Sequence, residues 1–129
     1  MKTILTFIIS AFLISACSQG NAQENMTVGE LNAIDLKSDN SKIVLDVRTA
    51  QEYAEGKISG STNLDVLKTD LFTTSIQKLD KDKTYYVICR SGSRSQNAVN
   101  QMKKAGFKNA INITGGMQAW EAANFPVEK

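Results

Sequence analysis

Short, nearly continuous apolar runs alternate along this chain with stretches of helical spacing. Ile43-Val44-Leu45, Tyr85-Tyr86-Val87-Ile88 and Ala110-Ile111-Asn112-Ile113 are too short for helices and read as strands covered on both faces. Ile58-Ser59-Gly60-Ser61-Thr62-Asn63-Leu64 reads as a turn entering a further short strand. Between them the spacing predicts helices. Thr27 is a candidate N-cap with Glu30 three residues on, as in a capping box, and Leu31, Ile34 and Leu36 form the apolar face. Thr49 caps a short helix that carries Tyr53 and stops at Gly56. Leu71, Phe72, Ile76 and Leu79 mark a helix over residues 71–79. Gly92 to Lys104 forms another, with Ala98, Val99 and Met102 on one face and Gly106 ending it. Gly115-Gly116 opens a final helix containing Met117, Trp120 and Ala123. Ser38-Asp39-Asn40-Ser41 and Asp80-Lys81-Asp82-Lys83 are turns.

Strands alternating with helices predict an α/β domain: a small, mostly parallel sheet of about five strands with helices on both faces. In such sheets ligands bind beyond the carboxyl ends of strands. Cys89 lies at one such end, with Asp46-Val47-Arg48 and Thr114-Gly115-Gly116 at two others, so the three are expected to meet.

The N-terminus is patterned differently. Lys2 precedes an uncharged, mostly apolar run from Ile4 to Ala16, shorter than a membrane span and of the length of a signal h-region. Residues 1–16 are therefore read as a signal peptide. Ile14-Ser15-Ala16-Cys17 resembles a bacterial lipobox, which implies a diacylglyceryl group on Cys17 and a membrane anchor. The alternative is cleavage after Ala22, releasing a soluble periplasmic protein. Residues 17–26 are then a lipidated terminus and flexible tether, and residues 27–129 the domain, on the periplasmic side of a bacterial membrane.

Composition narrows the chemistry. The net charge of +2 arises from 15 basic and 13 acidic residues with no basic block, which argues against nucleic acid as a partner. There is no histidine, so Cys–His and Ser–His–Asp nucleophiles and the commonest zinc sites are excluded, and no metal or cofactor is expected. Only two cysteines occur. With Cys17 lipidated, Cys89 has no intramolecular partner, and a lone exported thiol is a candidate nucleophile.

The residues after it fit that role. In Cys89-Arg90-Ser91-Gly92-Ser93-Arg94-Ser95 a loop able to turn several amides inward leads into a helix N-terminus, and two guanidiniums accompany it. Arg90, Ser91, Gly92, Ser93 and Arg94 are the candidate anion cradle. Asp46, Arg48 and Glu52 are read as supports; Asp46, if buried, needs hydrogen bonds to loop amides, and Arg94 is placed to brace the loop or meet Glu52. Gly115-Gly116 reads as a tight turn or a pocket wall, and Met117, Trp120 and Phe125 as core.

Five segments in order resemble the rhodanese family of sulfurtransferases over about residues 27–125: Val44-Leu45-Asp46-Val47-Arg48, Glu52-Tyr53 with Gly56, Ile58-Ser59-Gly60, the Cys89–Ser95 loop, and Gly115-Gly116-Met117-Gln118-Ala119-Trp120. The resemblance implies a rhodanese-like fold, with loop amides directed at Cys89. It implies ping-pong transfer through a Cys89 persulfide, with thiosulfate as donor and cyanide, a small thiol or a protein thiol as acceptor. A persulfide carrier that docks a partner protein is the alternative. Cysteine phosphatases use a similar cradle with one more residue between cysteine and arginine. Here only Arg90 to Ser93 separate Cys89 from Arg94, a tighter ring suited to sulfur.

Overall fold

The computed structural model describes residues 24–129; the signal peptide, the lipobox with Cys17 and the alternative cut after Ala22 lie outside the described residues. Ten elements follow one another: β1 (Asn25–Met26), α1 (Val28–Asn32), β2 (Lys42–Asp46), α2 (Ala50–Glu55), β3 (Thr62–Asn63), α3 (Thr69–Ile76), β4 (Thr84–Ile88), α4 (Ser93–Lys104), β5 (Asn109–Ile113) and α5 (Gly116–Ala122). The strands form one sheet in the order β1-β5-β4-β2-β3, and every pair within it is parallel.

The apolar runs become strands because each side chain finds cover on its own face. Tyr85, Val87 and Cys89 alternate with Tyr86 and Ile88. The first set joins Leu45, Val47 and Ala110 in a core closed by Phe72 and Ile76 of α3 and by Ala98, Val99 and Met102 of α4. The second joins Val44, Ile111 and Ile113 in a core closed by Leu31 of α1 and by Met117 and Trp120 of α5. The chain leaves β2 toward β3 on one side and returns to β4 on the other. The crevice beyond the ends of β2 and β4 is therefore the point at which the strand order reverses, where open α/β sheets bind ligands.

Local chemistry accounts for the helix starts. Thr27 and Thr49 both make full capping boxes, with Glu30 and Glu52 respectively. Three expectations are corrected. Asn25 and Met26, assigned to the tether, form an edge strand: Glu24 O and Met26 O accept the N–H groups of Asn112 and Thr114, each at 2.9 Å. The first helix stops at Asn32, so Ile34 and Leu36 lie beyond it. There Asp35 Oδ1 takes the N–H groups of Lys37 and Ser38 and turns the chain instead. Leu71 does not belong to the buried face of α3. Phe72 and Ile76, four apart, define that face, and Leu71 is 60% exposed. Among the described residues no helix is long and apolar enough to cross a membrane.

Candidate active site

β4 ends at Ile88, and Cys89 follows it with its side chain on the α4 face, fully buried. The chain then turns through Arg90 and Ser91 to Gly92, which caps α4 at φ 106°, a left-handed conformation open to glycine at little cost. This turn aims backbone N–H groups back at the sulfur. Gly92 N–H donates to Cys89 Sγ at 3.1 Å, and the Ser95 hydroxyl lies 3.3 Å from it. Burial pushes the Cys89 thiol up. The Ser95 hydroxyl and the amides of Ser95, Gly92 and Ser91 outweigh that, and the pKa falls below the ordinary thiol value. The twelve-residue α4 adds the positive end of its dipole.

The back of the loop is held by α5. Met117 N–H donates to Cys89 O at 2.8 Å and Gln118 N–H to Arg90 O at 2.9 Å. With those carbonyls bonded outward, the amides of the same turn face inward. Gly116 makes this contact possible: a Cβ there would lie 2.4 Å from Cys89 O and 2.6 Å from Arg90 C and O. Gly116 is thus required by the approach of two backbones, whereas at Gly115, with φ 76°, an added Cβ would meet the Ala119 side chain of the same helix.

Arg94 extends from the first turn of α4 to α2. Its Nη1 and Nη2 donate to the two oxygens of Glu52, each at 2.8 Å. Glu52 also accepts from Thr49 N–H and Oγ1 at 3.0 Å, so one carboxylate closes the capping box of α2 and pins α4. The Arg94 hydrogen bonds, with those from Thr49, hold the Glu52 carboxyl down to about 2 against the effect of burial.

Asp46 and Arg48 pair with each other instead of with the cysteine loop, which corrects the expected bonding of Asp46. Asp46 Oδ1 accepts Arg48 N–H at 3.1 Å and Nε at 3.0 Å, and Oδ2 accepts Nη2 at 2.7 Å. Arg48 Nη2 also donates to Gly56 O at 2.7 Å, joining the end of β2 to the end of α2. The link from β2 to the loop runs through backbone: Val47 N–H donates to Ile88 O at 2.9 Å.

Arg90, Ser91 and Ser93 are exposed. Arg90 lines a polar cavity of about 320 Å³ with Arg48, Glu52, Glu55, Gln118 and Glu121. A larger cavity, about 470 Å³, is mostly apolar, lies against Leu31, Ile58 and Trp120 on the other sheet face, and includes no residue of the loop. Among the described residues no group of three or more His, Cys, Asp or Glu is placed to hold a metal ion.

Two contributors were missed from sequence. Asn63 Nδ2 donates to Asp46 O and Arg48 O at 3.0 and 2.9 Å and fixes the turn after β2. Asn112 Oδ1 accepts the Ser95 hydroxyl at 2.5 Å. The available signal for the second was a lone amide in the run Ala110–Ile113.

A buried thiol at the reversal point of a parallel sheet, ringed by its own loop amides, defines the class. The rhodanese-like domain model matches residues 29–123, and the chain belongs to that family. The Bacillus subtilis (strain 168) protein "Putative sulfurtransferase YtwF" is 36% identical over 105 residues, covering 78% of this chain and 98% of that protein. Thiosulfate sulfurtransferase GlpE of Pseudomonas entomophila (strain L48) is 36% identical over 80 residues, covering 62% of this chain and 71% of that protein. Among solved structures, SSP1007 of Staphylococcus saprophyticus superposes with a TM-score of 0.67 at 32% identity, covering 83% of this chain and all of that one.

Proposed function

We propose that this protein is a thiosulfate sulfurtransferase that moves one sulfur atom through a persulfide on Cys89. The observation that carries the reading is the cradle itself: the Gly92 amide donates to Sγ at 3.1 Å at the head of α4, an arrangement that stabilises an anionic sulfur. In the first half-reaction the Cys89 thiolate attacks the outer sulfur of thiosulfate. The S–S bond of the donor breaks, and sulfite leaves with the electron pair. In the second, cyanide or a thiolate attacks the terminal sulfur of the Cys89 persulfide. Thiocyanate or a new persulfide departs, and the thiolate is restored. Negative charge stays on sulfur throughout, so one set of amides serves both steps. Arg90, exposed at the cavity edge, attracts the anionic donor. The names of the relatives, sulfurtransferase and thiosulfate sulfurtransferase, support the same chemistry.

The test is intact-mass analysis of donor-treated wild type and Cys89→Ser, with thiocyanate formation measured alongside. Wild type gains one sulfur and turns over; Cys89→Ser does neither. Phosphatase turnover without any sulfur gain overturns the reading.

The sequence pattern of residues 1–17 supports placement on the periplasmic side of a bacterial membrane, anchored through a lipid on Cys17. Mass spectrometry of the membrane fraction tests it: a free N-terminus at Gln23 removes the anchor.

A further inference from the structure

Asn112 is an amide in an otherwise apolar stretch of β5, 5% exposed and on the same sheet face as Cys89. Burying an amide costs free energy unless its groups are bonded, and here all are engaged. Oδ1 accepts the Ser95 hydroxyl at 2.5 Å; Nδ2 faces Asn25 Oδ1 at 3.3 Å and Gln96 Oε1 at 3.4 Å. Ser95, itself fully buried, stands between Asn112 and Cys89 Sγ.

A hydroxyl carries one proton. With that proton on Asn112 Oδ1, Ser95 turns lone pairs toward the sulfur. This suits a neutral thiol, which donates its S–H to Ser95. An anionic sulfur has no proton to offer and needs to receive one. Ser95 can supply it only when Asn112 stops accepting it. A half-turn of the Asn112 amide places Nδ2 on Ser95 Oγ and Oδ1 toward Asn25 and Gln96, whose own amides can turn to donate. Oxygen and nitrogen exchange places within one planar group, so the backbone need not move.

We propose that Asn112 is a positioning residue for the sulfur chemistry: its amide reverses the hydrogen-bond chain Cys89–Ser95–Asn112 when the sulfur becomes anionic, so that Ser95 donates to thiolate and persulfide alike. The proposal rests on the reading of Cys89 as the sulfur-carrying nucleophile. On ionisation the S–H bond breaks heterolytically and the proton passes to solvent; nothing is oxidised or reduced. The charged groups about Cys89 lie on the other elements. Arg94 of α4 is paired with Glu52 of α2 and also feels Asp65, Arg90 is on the loop, and Asp46 is closed by Arg48. Asn112's own partners Ser95, Asn25 and Gln96 are uncharged, and Glu24, beside Asn25, pairs with Lys103. A response at Asn112 therefore reports the relay.

The experiment follows the Asn112 side-chain amide by 15N–1H NMR across pH in the full protein. In wild type its resonances shift with the same midpoint as the rate of Cys89 alkylation by iodoacetamide. In Ser95→Ala and in Cys89→Ser that shift disappears. Flat Asn112 resonances in wild type, or an equal shift in either variant, overturns the proposal. A second readout is the single-turnover rate of persulfide loading from thiosulfate. Asn112→Leu slows it about tenfold, yet adds less than about twofold once Ser95 is alanine, since the two act as one unit. Equal slowing in both backgrounds, or none in either, also overturns it. If thiosulfate never loads Cys89 while the coupled titration persists, the sulfur-transfer reading fails and the relay stands.

Discussion

At the scale of single residues, the reactivity of Cys89 is a contest between burial and hydrogen bonding. The sulfur is fully buried, which favours the neutral thiol, while the Ser95 hydroxyl and three amides favour the anion and prevail. Alkylation of Cys89 is therefore expected to reach half its limiting rate at a lower pH than for an ordinary cysteine thiol. Ser95→Ala removes the largest of the favourable contributions and moves that midpoint upward, with stopped-flow alkylation as the check. Glu52 titrates in the opposite functional setting. Its carboxyl is depressed from 4.5 to about 2, chiefly by Arg94, so the stability it contributes is complete above the unfolded value and is lost as pH falls through the folded one. Glu52→Gln should lower unfolding stability at neutral pH by about 1 kcal/mol. As pH falls through about 2 the wild-type carboxylate becomes protonated too, so the two proteins should converge below that pH in urea titrations.

At the scale of elements, two helix starts and one strand end share the construction of the site. α4 supplies inward amides, and α5 takes the outward carbonyls of the same turn through Met117 and Gln118. Gly116 has φ 53°, and a Cβ there would overlap the carbonyl of Cys89. Gly116→Ala is expected to push α5 off the loop, to destabilise the fold by about 1–3 kcal/mol, and to slow sulfur loading in the fraction that remains folded. Thermal unfolding and single-turnover loading check the two effects separately. A substitution at Gly60 makes the contrast: its φ is 78°, but no atom lies within 4 Å of the added Cβ, so only backbone strain is felt and loading is unchanged.

At the scale of the whole molecule, the parallel sheet brings remote segments to one crevice. Parallel pairing of β2 with β4 puts Asp46 beside Ile88, and the chain running through α2 returns Gly56 to Arg48. The Asp46–Arg48 pair thus joins strand end to helix end with both side chains buried. Arg48→Met leaves Asp46 a buried charge without its partner and is expected to cost about 3–5 kcal/mol, measured by equilibrium urea unfolding. Asp46→Asn combined with Arg48→Met should recover part of that loss, because no unpaired charge remains.

Much of this arrangement could be read along the chain. The apolar runs at residues 43–45, 85–88 and 110–113 had to be covered on both faces, which required a parallel sheet with helices above and below. Thr27 and Thr49 announced their helices through local hydrogen bonds, and Cys89 with its serine- and glycine-rich loop announced a cradle. These features depend on neighbours within a few residues, so their order alone is informative. Other features depend on segments distant in the chain. β1 exists only because β5 offers it an open edge, and a two-residue strand has no periodicity of its own. Asp46 could have turned to the cysteine loop or to Arg48, two residues on, and the end of α2 decided between them by holding the Arg48 guanidinium through Gly56 O at 2.7 Å. Asn112 is 17 residues from Ser95 and 87 from Asn25, and no local pattern joins them. The sequence by itself determined the layers and the loop that follows Cys89, because backbone periodicity and loop chemistry are short-range. Tertiary structure decided the partners of the buried polar groups, because each takes the donor or acceptor that packing leaves within about 3 Å.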